Sequence, residues 1–242
     1  MNTAAEADPI PAIPDIKAPP AHLLALEARV WAEAPLFWLR TLSVRGLPRG
    51  DGHAVLVLPG FGAGDLGTRT LRRALSRLGY SVYGWGQGVN FGMRPALKNA
   101  LAQRLLKLSA QHQGPVSLIG WSLGGVYARE MARHQPQAVR AVYTLGSPFN
   151  GRPDANNMMT LFRIANRGKP VNLDWAGFRK RCAPPPVPCT AIYTKTDGIV
   201  AWRCCLEDEA AHTENVEVRG RHFGLATNHA VLRALAERMT RR

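Results

Sequence analysis

The chain lacks any apolar run long enough to cross a bilayer, and its first residues do not resemble a secretory signal. A membrane-spanning helix needs about 20 consecutive apolar residues, and no stretch approaches that length. Residues 1–20 are rich in proline, contain Glu6 and Asp8, and lack a basic start followed by a short apolar run. We therefore expect a cytoplasmic protein.

Cysteine is also scarce, and its spacing is not that of a zinc site. The chain has four cysteines. Cys182 and Cys189 flank a proline-rich loop, and Cys204 and Cys205 are adjacent, whereas structural zinc ligands come in pairs such as two CxxC motifs. We expect no metal site and free thiols, although Cys182 and Cys189 can form a disulfide in an oxidising compartment.

Acidic residues are few: 31 lysines and arginines stand against 17 aspartates and glutamates, which gives a net charge of +14. A charge of this size attracts nucleic acid, anionic lipid or acidic polymers. The basic residues are nevertheless spread along the chain, without a block of like charges or a nucleic-acid-binding motif. The sequence therefore favours a solvated basic surface and no nucleic-acid partner, and leaves weak peripheral membrane contact as an alternative.

The segment that carries this alternative is a predicted helix over residues 21–39, which follows an extended arm of residues 1–20. Its apolar residues recur at helical spacing, so the helix either lies on a membrane surface or packs on the protein. Glu27 and Glu33 oppose anionic lipid, and we favour packing. We assign residues 1–49 to an N-terminal arm and helix.

From residue 50 to 242 strand and helix patterns alternate, which is typical of an α/β domain. The run His53 to Leu58 is apolar throughout and ends in Pro-Gly, as a buried strand does. We predict further strands at 81–83, 116–120, 139–145, 190–194 and 215–218, with helices at 71–78, 97–108, 123–134 and 229–239. Such alternation predicts a mostly parallel sheet covered by helices on both faces. The pattern breaks over about 150–188, where we predict a small cap inserted over one end of the sheet.

The pentapeptide Gly120–Gly124 has the pattern GxSxG, with Ser122 at its centre. It follows an apolar strand and opens a helical stretch, which is the setting that an activated serine requires in this motif. A nucleophile at the tip of such a turn has a strained backbone, and glycines two residues away remove β-carbons that would collide with the strand and helix beside it. Glycine-rich turns without chemistry also occur in nucleotide-binding folds, but we favour Ser122 as a nucleophile.

A serine hydroxyl needs a base at neutral pH, and the base needs a carboxylate to orient it. Asp197 follows a predicted strand and precedes Gly198, in a turn that projects the carboxylate from the C-terminal edge of the sheet. We predict Asp197 as the acid, ahead of Asp154 and Asp174 in the insertion.

Two histidines are candidates for the base. His222 lies in a loop just after the last strand, from which it can reach Ser122, whereas His229 begins the final helix. We favour His222 and keep His229 as the alternative; His212 precedes the last strand and is less well placed.

An oxyanion formed during acyl transfer needs two backbone donors. We predict the N–H groups of Leu123, directly after the serine, and of Phe61, in the loop Pro59–Gly62. Apolar residues at the start of the insertion either line a substrate pocket or pack the cap: Phe149, Met158, Met159, Leu161 and Phe162.

The stretches LVLPGFGAGD, LIGWSLGGVYARE, IYTKTDGIVAW and ENVEVRGRHFGLATN resemble the α/β-hydrolase superfamily, and within it bacterial lipase- or esterase-like proteins. The likeness extends over residues 50–239. It implies the α/β-hydrolase fold and the same assignments at Ser122, Asp197, His222, Phe61 and Leu123. A proline often stands in this group where the chain has His229, which supports His222. Many lipases begin the oxyanion loop with His-Gly, whereas this chain has Pro-Gly.

We therefore expect hydrolysis of a carboxylic ester through an acyl-enzyme, without metal or organic cofactor. The expected substrate is a small-molecule or lipid-like ester, and the sequence specifies neither its acyl chain length nor the oligomeric state. Acyl transfer and the depolymerisation of a polyester such as a hydroxyalkanoate use the same residues. A binding protein that kept the fold without catalysis is the alternative from another class.

Overall fold

The computed structural model describes residues 16–28, 43–150, 157 and 181–241. Its strands are β1 (Ala54–Leu58), β2 (Ser81–Gly84), β3 (Val116–Trp121), β4 (Val139–Leu145), β5 (Cys189–Tyr193) and β6 (Thr213–Glu217). Its helices are α1 (Ala21–Glu27), α2 (Arg69–Leu78), α3 (Pro95–Gln111), α4 (Leu123–His134) and α5 (His229–Met239), with short 3₁₀ turns at Pro136–Ala138, Trp202–Cys205 and His222–Thr227. These bounds agree with the predicted strands and helices to within a few residues, except for α1.

The six strands form one parallel sheet in the order β2-β1-β3-β4-β5-β6. The chain runs from β1 outward to β2, returns to β3 on the other side of β1, and then continues in one direction. Ligands bind in open α/β sheets at the carboxyl ends of the strands where this direction reverses. The crevice between the ends of β1 and β3, where Leu58 pairs with Gly120, is therefore the expected site.

Helices cover both faces of the sheet, as predicted. All five residues of β1 and all six of β3 are buried, which is why their sequences are continuously apolar rather than alternating. One face packs against α2 and α5, and the other against α3 and α4. The stripe Leu71, Leu75 and Leu78 of α2 is fully buried, and burial of each such side chain stabilises the fold by about 1.5–3 kcal/mol.

Both ends of the predicted insertion meet at Arg129, a fully buried residue of α4. Its guanidinium lies 3.8 Å above the ring of Phe149, just before the insertion, and donates to the carbonyls of Cys182 (2.7 Å) and Ala183 (3.0 Å), near the insertion's C-terminal end. It also forms a buried ion pair with Glu207, whose pKa burial raises despite the attraction of Arg129. Helix α4 therefore contacts, through Arg129, residues near both ends of the predicted insertion.

Helix α1 begins where the sequence predicts and ends at Glu27, and residues 29–42 lie outside the described part of the chain. Within the described residues 16–28, Glu27 is buried and the backbone of Leu23 lies against Gly198. None of the helices in the described segments combines the length and apolarity needed to cross a membrane. All four cysteines are buried.

Candidate active site

Ser122 lies at the sharp turn between β3 and α4, in the crevice that the strand order predicts. Its backbone has φ 54° and ψ −122°, a left-handed conformation that L-residues other than glycine rarely adopt. Such a conformation costs on the order of 1–3 kcal/mol and persists only where its surroundings hold it. The Ser122 N–H donates to the carbonyl of Leu145 (2.8 Å), which ties the turn to β4.

The two motif glycines are required by close packing, as predicted. A β-carbon added at Gly120 would lie 2.3 Å from the Cα atom of Gly125 in α4, and one added at Gly124 would lie 2.3 Å from the carbonyl oxygen of Leu58 in β1. Neither separation is compatible with a side chain. The turn therefore fits only because the strand and the helix touch through glycine.

The structure brings the predicted base and acid to the serine in one hydrogen-bonded chain. The Nε2 atom of His222 lies 3.0 Å from Ser122 Oγ, and Nδ1 lies 2.7 Å from Asp197 Oδ2. With the proton on Nδ1, His222 donates to the carboxylate and presents Nε2 as an acceptor for the serine hydroxyl. Both His222 and Asp197 are buried, so water competes weakly for these bonds.

The loop after β5 fixes the Asp197 carboxylate. Its Oδ1 atom accepts from the N–H groups of Ile199 (2.8 Å) and Val200 (2.7 Å), which leaves Oδ2 directed at His222. The Asp-Gly turn in the sequence therefore serves to aim a carboxylate, because the backbone folds around one of its oxygens.

The surroundings of His222 favour its charged form. Burial alone would lower the pKa of the imidazole, but the charge of Asp197, the hydrogen bond to Asp197 and the charge of Glu27 outweigh burial and raise this pKa above its ordinary value. An imidazolium at this position is therefore stabilised.

The alternative residues lie elsewhere. His229 is placed within 3.2 Å of the carbonyl of Ser43, and His212 within 3.1 Å of that of Pro185. Asp154 and Asp174 lie outside the described residues. Of the candidates that the structure describes, His222 and Asp197 are the pair that reaches the serine.

Both predicted oxyanion donors border the serine. Leu123 is the first residue of α4, so its N–H belongs to the first helical turn, where N–H groups have no acceptor within the helix. Phe61 lies in the loop after β1, and this loop packs against Ser122: a β-carbon added at Gly60 would lie 3.1 Å from Ser122 Cβ.

A buried asparagine that the sequence did not point to holds this loop. Asn90 is fully buried, and its side chain donates to the carbonyl of Pro59 (2.8 Å). Its backbone accepts from Gly62 N–H and donates to the carbonyl of Ala63, each at 2.8 Å. Asn90 thus binds the loop on both sides of Phe61, and only its position after the short strand β2 could have suggested this contact.

Two more side chains, also missed from the sequence, contact the backbone of His222. The indole Nε1 of Trp121 donates to the carbonyl of His222 (3.1 Å). The carboxylate of Glu27 accepts from the N–H of His222 (2.9 Å). Glu27 lies four residues after Leu23 on the predicted packing face of α1, and a charged residue on that face was the signal available.

The predicted substrate-lining residues are mostly outside the described part of the chain. These are Met158, Met159, Leu161 and Phe162. Phe149 is described and is buried beneath the guanidinium of Arg129. The ring of Phe61 meets that of Phe91 edge to face at 6.3 Å, and Val89, Phe91 and Met93 are exposed apolar side chains of the loop after β2.

Comparison with known proteins shows the fold. No family model matches the sequence. Over 115 residues, 46% of this chain, the sequence is 33% identical to polyketide synthase ThaQ of Burkholderia thailandensis, of which this match covers 6%. The chain therefore corresponds to a small part of that relative.

Solved structures match over most of the chain. The metagenome-derived lipolytic enzymes LipS and LipT give a TM-score of 0.56 at 14% identity, over 81% of this chain and 96% of theirs. A lipase-esterase related protein of Clostridium acetobutylicum gives 0.56 at 17% identity over the same shares. The thioesterase domain of the curacin biosynthetic pathway gives 0.50 at 15% identity, over 79% of this chain and 93% of that domain. The chain has the α/β-hydrolase fold, as the motifs predicted.

Proposed function

We propose that this protein is a serine hydrolase that cleaves carboxylic esters, with Ser122 as nucleophile, His222 as general base and Asp197 as the orienting acid. The observation that carries the proposal is the hydrogen-bonded chain from Asp197 through His222 to a serine held at positive φ in a strand–turn–helix. An acid, a base and a nucleophile in this order activate a hydroxyl that is otherwise unreactive at neutral pH.

In the first half of the reaction, His222 Nε2 takes the proton of Ser122 as Oγ attacks the ester carbonyl. The imidazolium that forms is stabilised by Asp197 on its other nitrogen. Collapse of the tetrahedral intermediate breaks the bond to the alcohol, and His222 returns the proton to the departing alkoxide. An acyl group is then bound to Ser122, and the alcohol is released.

In the second half, water replaces the alcohol. His222 accepts a proton from the water as its oxygen attacks the acyl carbonyl, and then returns that proton to Ser122 Oγ as the acid leaves. In each half the N–H groups of Leu123 and Phe61 donate to the carbonyl oxygen while it is negatively charged. The N-terminus of α4 adds its dipole at the same place.

The proposed substrate is a small-molecule or lipid-like ester. Phe61 follows Gly60, which lies against Ser122, and its ring contacts Phe91. Phe91 is exposed together with Val89 and Met93, and such apolar side chains suit an apolar acyl or alcohol group. Lipolytic and lipase-esterase related proteins are among the structural neighbours, which agrees with this choice. We also propose that the protein is cytoplasmic. A cap formed by residues 150–188 would border the acyl group, and we therefore expect that shortening this segment changes the preferred acyl chain length.

A thioester is the second candidate substrate, with acyl transfer as the related reaction. It is favoured by the partial match to a polyketide synthase and by the likeness to a thioesterase domain. The same residues cleave a thioester with a thiolate as leaving group. An oxygen ester and a thioester of one acyl group, compared by kcat/KM in the presence and absence of a competing alcohol, distinguish these reactions.

The test is the reaction of the purified protein with a fluorophosphonate probe, followed by mass spectrometric location of the adduct. We expect the adduct on Ser122 and its loss in Ser122→Ala. Ser76→Ala, which removes an exposed serine of α2, is the matched control and should label like the unchanged protein. A folded protein that does not label at Ser122 contradicts the proposal and favours the binding-protein alternative.

A further inference from the structure

Glu27 is a buried carboxylate that joins the two loops of the proposed site. Its side chain belongs to α1 and is 2% exposed. Its Oε1 atom accepts from the N–H of Gly198, which follows Asp197, and from that of His222, both at 2.9 Å. Its Oε2 atom accepts from the N–H of Phe223 (3.1 Å). One carboxylate thus satisfies buried donors on both sides of the acid–base pair, from 171 to 196 residues away in the sequence.

Helix α1 lies directly on the loop that carries the acid. A β-carbon added at Gly198 would be 2.3 Å from the carbonyl oxygen of Leu23, so the helix backbone occupies the place of a side chain. The side-chain amide of Asn157 donates to the carbonyls of Gly198 (2.8 Å) and Pro19 (3.1 Å) and thereby ties the segment before α1 to the same loop. The position of Glu27 is therefore fixed by packing as well as by its own hydrogen bonds.

From this geometry we infer that Glu27 is a positioning residue for the reaction: it fixes the loops of Asp197 and His222 relative to each other and supplies a second negative charge behind the base. The inference rests on the proposed function. It makes the N-terminal segment a working part of the site rather than an appendage. Among the residues that the structure describes, the hydrogen bonds of the Glu27 carboxylate are with backbone N–H groups and not with Ser122.

Position and charge are two separable contributions. Loops misplaced by about 1 Å can cost roughly 100-fold in rate, because proton transfer needs the donor and the acceptor in line. The charge acts on the imidazole, since Glu27 and Asp197 both favour the protonated form of His222.

The Cys205 thiol lies near Asp197, but burial and the charge of Asp197 raise the pKa of this thiol well above its ordinary value, so it stays neutral.

Two substitutions distinguish these contributions. Glu27→Gln keeps the length of the side chain but removes the charge, so the pKa of His222 falls and the acid limb of the pH–rate profile moves to lower pH. The amide NH2 group also faces the N–H of Phe223, so two donors meet without an acceptor. We therefore expect kcat to fall about tenfold, with KM changed less than twofold. Glu27→Asp keeps the charge but withdraws the carboxylate by about one bond length, or ~1.5 Å. It should lower kcat by about 10- to 100-fold while the acid limb stays in place.

The experiment measures kcat, KM and the rate of fluorophosphonate labelling at Ser122 against pH, together with thermal unfolding. Glu209→Gln, which removes an exposed carboxylate, is the matched control and should leave the pH profile unchanged. A role limited to stability would lower the melting temperature without moving the acid limb or kcat at a temperature where the variants are folded. That result, with both Glu27 variants folded, overturns the inference.

Gly198→Ala tests the inference without altering Glu27. The added methyl meets the carbonyl of Leu23 and displaces α1 from the acid loop, and we expect at least a tenfold loss of kcat in a folded protein. An unchanged kcat in folded Gly198→Ala overturns the inference even if the Glu27 variants do not fold. The pKa of His222, followed by its ring-proton resonances, should fall in Glu27→Gln whether or not esters are cleaved. Absence of labelling in the unchanged protein would instead contradict the proposed function.

Discussion

The indole nitrogen of Trp121 donates a hydrogen bond to the carbonyl oxygen of His222 at 3.1 Å, across 101 residues of sequence. Trp121 is the last residue of β3 and directly precedes Ser122, the proposed nucleophile, so β3 also holds the backbone of His222, the proposed base. Its ring lies 6.2 Å from the imidazole, centroid to centroid. Ser122 and His222 are therefore linked through the backbone as well as through their side chains.

This link predicts the effect of Trp121→Phe, which keeps an aromatic ring but removes the donor. The buried carbonyl of His222 loses its partner, which costs about 1–3 kcal/mol of stability, and the base becomes less well placed. We expect kcat/KM to fall several-fold, measured with a chromogenic ester. Trp85→Phe is the control, because it also removes a buried indole bond, to Gly88, without contacting His222. An equal loss of activity in both variants would contradict the link.

Replacement of the two candidate bases should give opposite results. His222→Ala removes the acceptor for the serine proton and should lower kcat by at least about 1000-fold. His229→Ala removes a contact with the carbonyl of Ser43 and should leave kcat nearly unchanged. Steady-state kinetics of both variants, with unfolding curves as a check, decides the matter. Near-normal turnover in His222→Ala would transfer the role of base to another residue.

The pH dependence of the reaction follows from the raised pKa of His222. The base must be neutral, so kcat/KM should fall with decreasing pH once the pH drops below this pKa, which lies above the ordinary value of 6.5. Asp197→Asn removes the charge, and with its amide oxygen held by the N–H groups of Ile199 and Val200 it turns an NH2 group towards His222 Nδ1. It should shift the acid limb to lower pH while lowering the maximum rate. The profile is measured as kcat/KM in buffers of constant ionic strength. An acid limb that does not move would mean that another group titrates.

The same raised pKa of His222 predicts that the stability of the fold decreases with rising pH, whereas the activity increases. Because folding raises the pKa of His222, the folded state binds its proton more tightly than the unfolded chain. The stabilisation from this residue is therefore fully present below the unfolded pKa of about 6.5 and is lost as the pH rises through the folded value. Urea unfolding across this range should show the loss in the unchanged protein and not in His222→Ala.

Close packing at the turn predicts a penalty for a single methyl group. Gly124→Ala places a β-carbon against the carbonyl oxygen of Leu58, and we expect a loss of about 1–3 kcal/mol of stability together with a displaced Ser122. Gly114→Ala is the control, since the nearest atom to an added β-carbon there is 3.8 Å away. Urea midpoints and labelling rates of the two variants test this. Equal stability of both variants would contradict this prediction and show that the backbone at the turn shifts to accommodate the added methyl group.

The features that could be predicted from sequence are those whose causes are local. The continuous apolar run of β1 follows from burial on both faces, and the glycines around Ser122 follow from the contact of a strand with the next helix. The order of serine, acid and base along the chain then placed Asp197 and His222. Each of these inferences needs only neighbouring residues and one general property of parallel sheets.

The residues that were missed act over long distances in the sequence. Charged side chains are expected on the surface, and Glu27 was therefore interpreted as evidence against lipid contact. It is buried because three backbone N–H groups from distant loops surround it, and no local pattern shows those donors. Asn90 was missed for the same reason, since its partners Pro59 and Ala63 lie in another loop.

The long reach of these contacts also determines when the site can first exist. The chain of bonds from Asp197 through His222 to Ser122 spans 100 residues, and the grip of Glu27 on Phe223 spans 196. A contact that closes a large loop lowers the conformational entropy of the chain before its own stabilising energy is gained. Such contacts therefore slow the folding of a domain. During synthesis, Ser122 emerges long before His222, its hydrogen-bond partner, has been made. In a growing chain, the Ser122 hydroxyl therefore lacks its hydrogen bond to His222 until translation has passed residue 222.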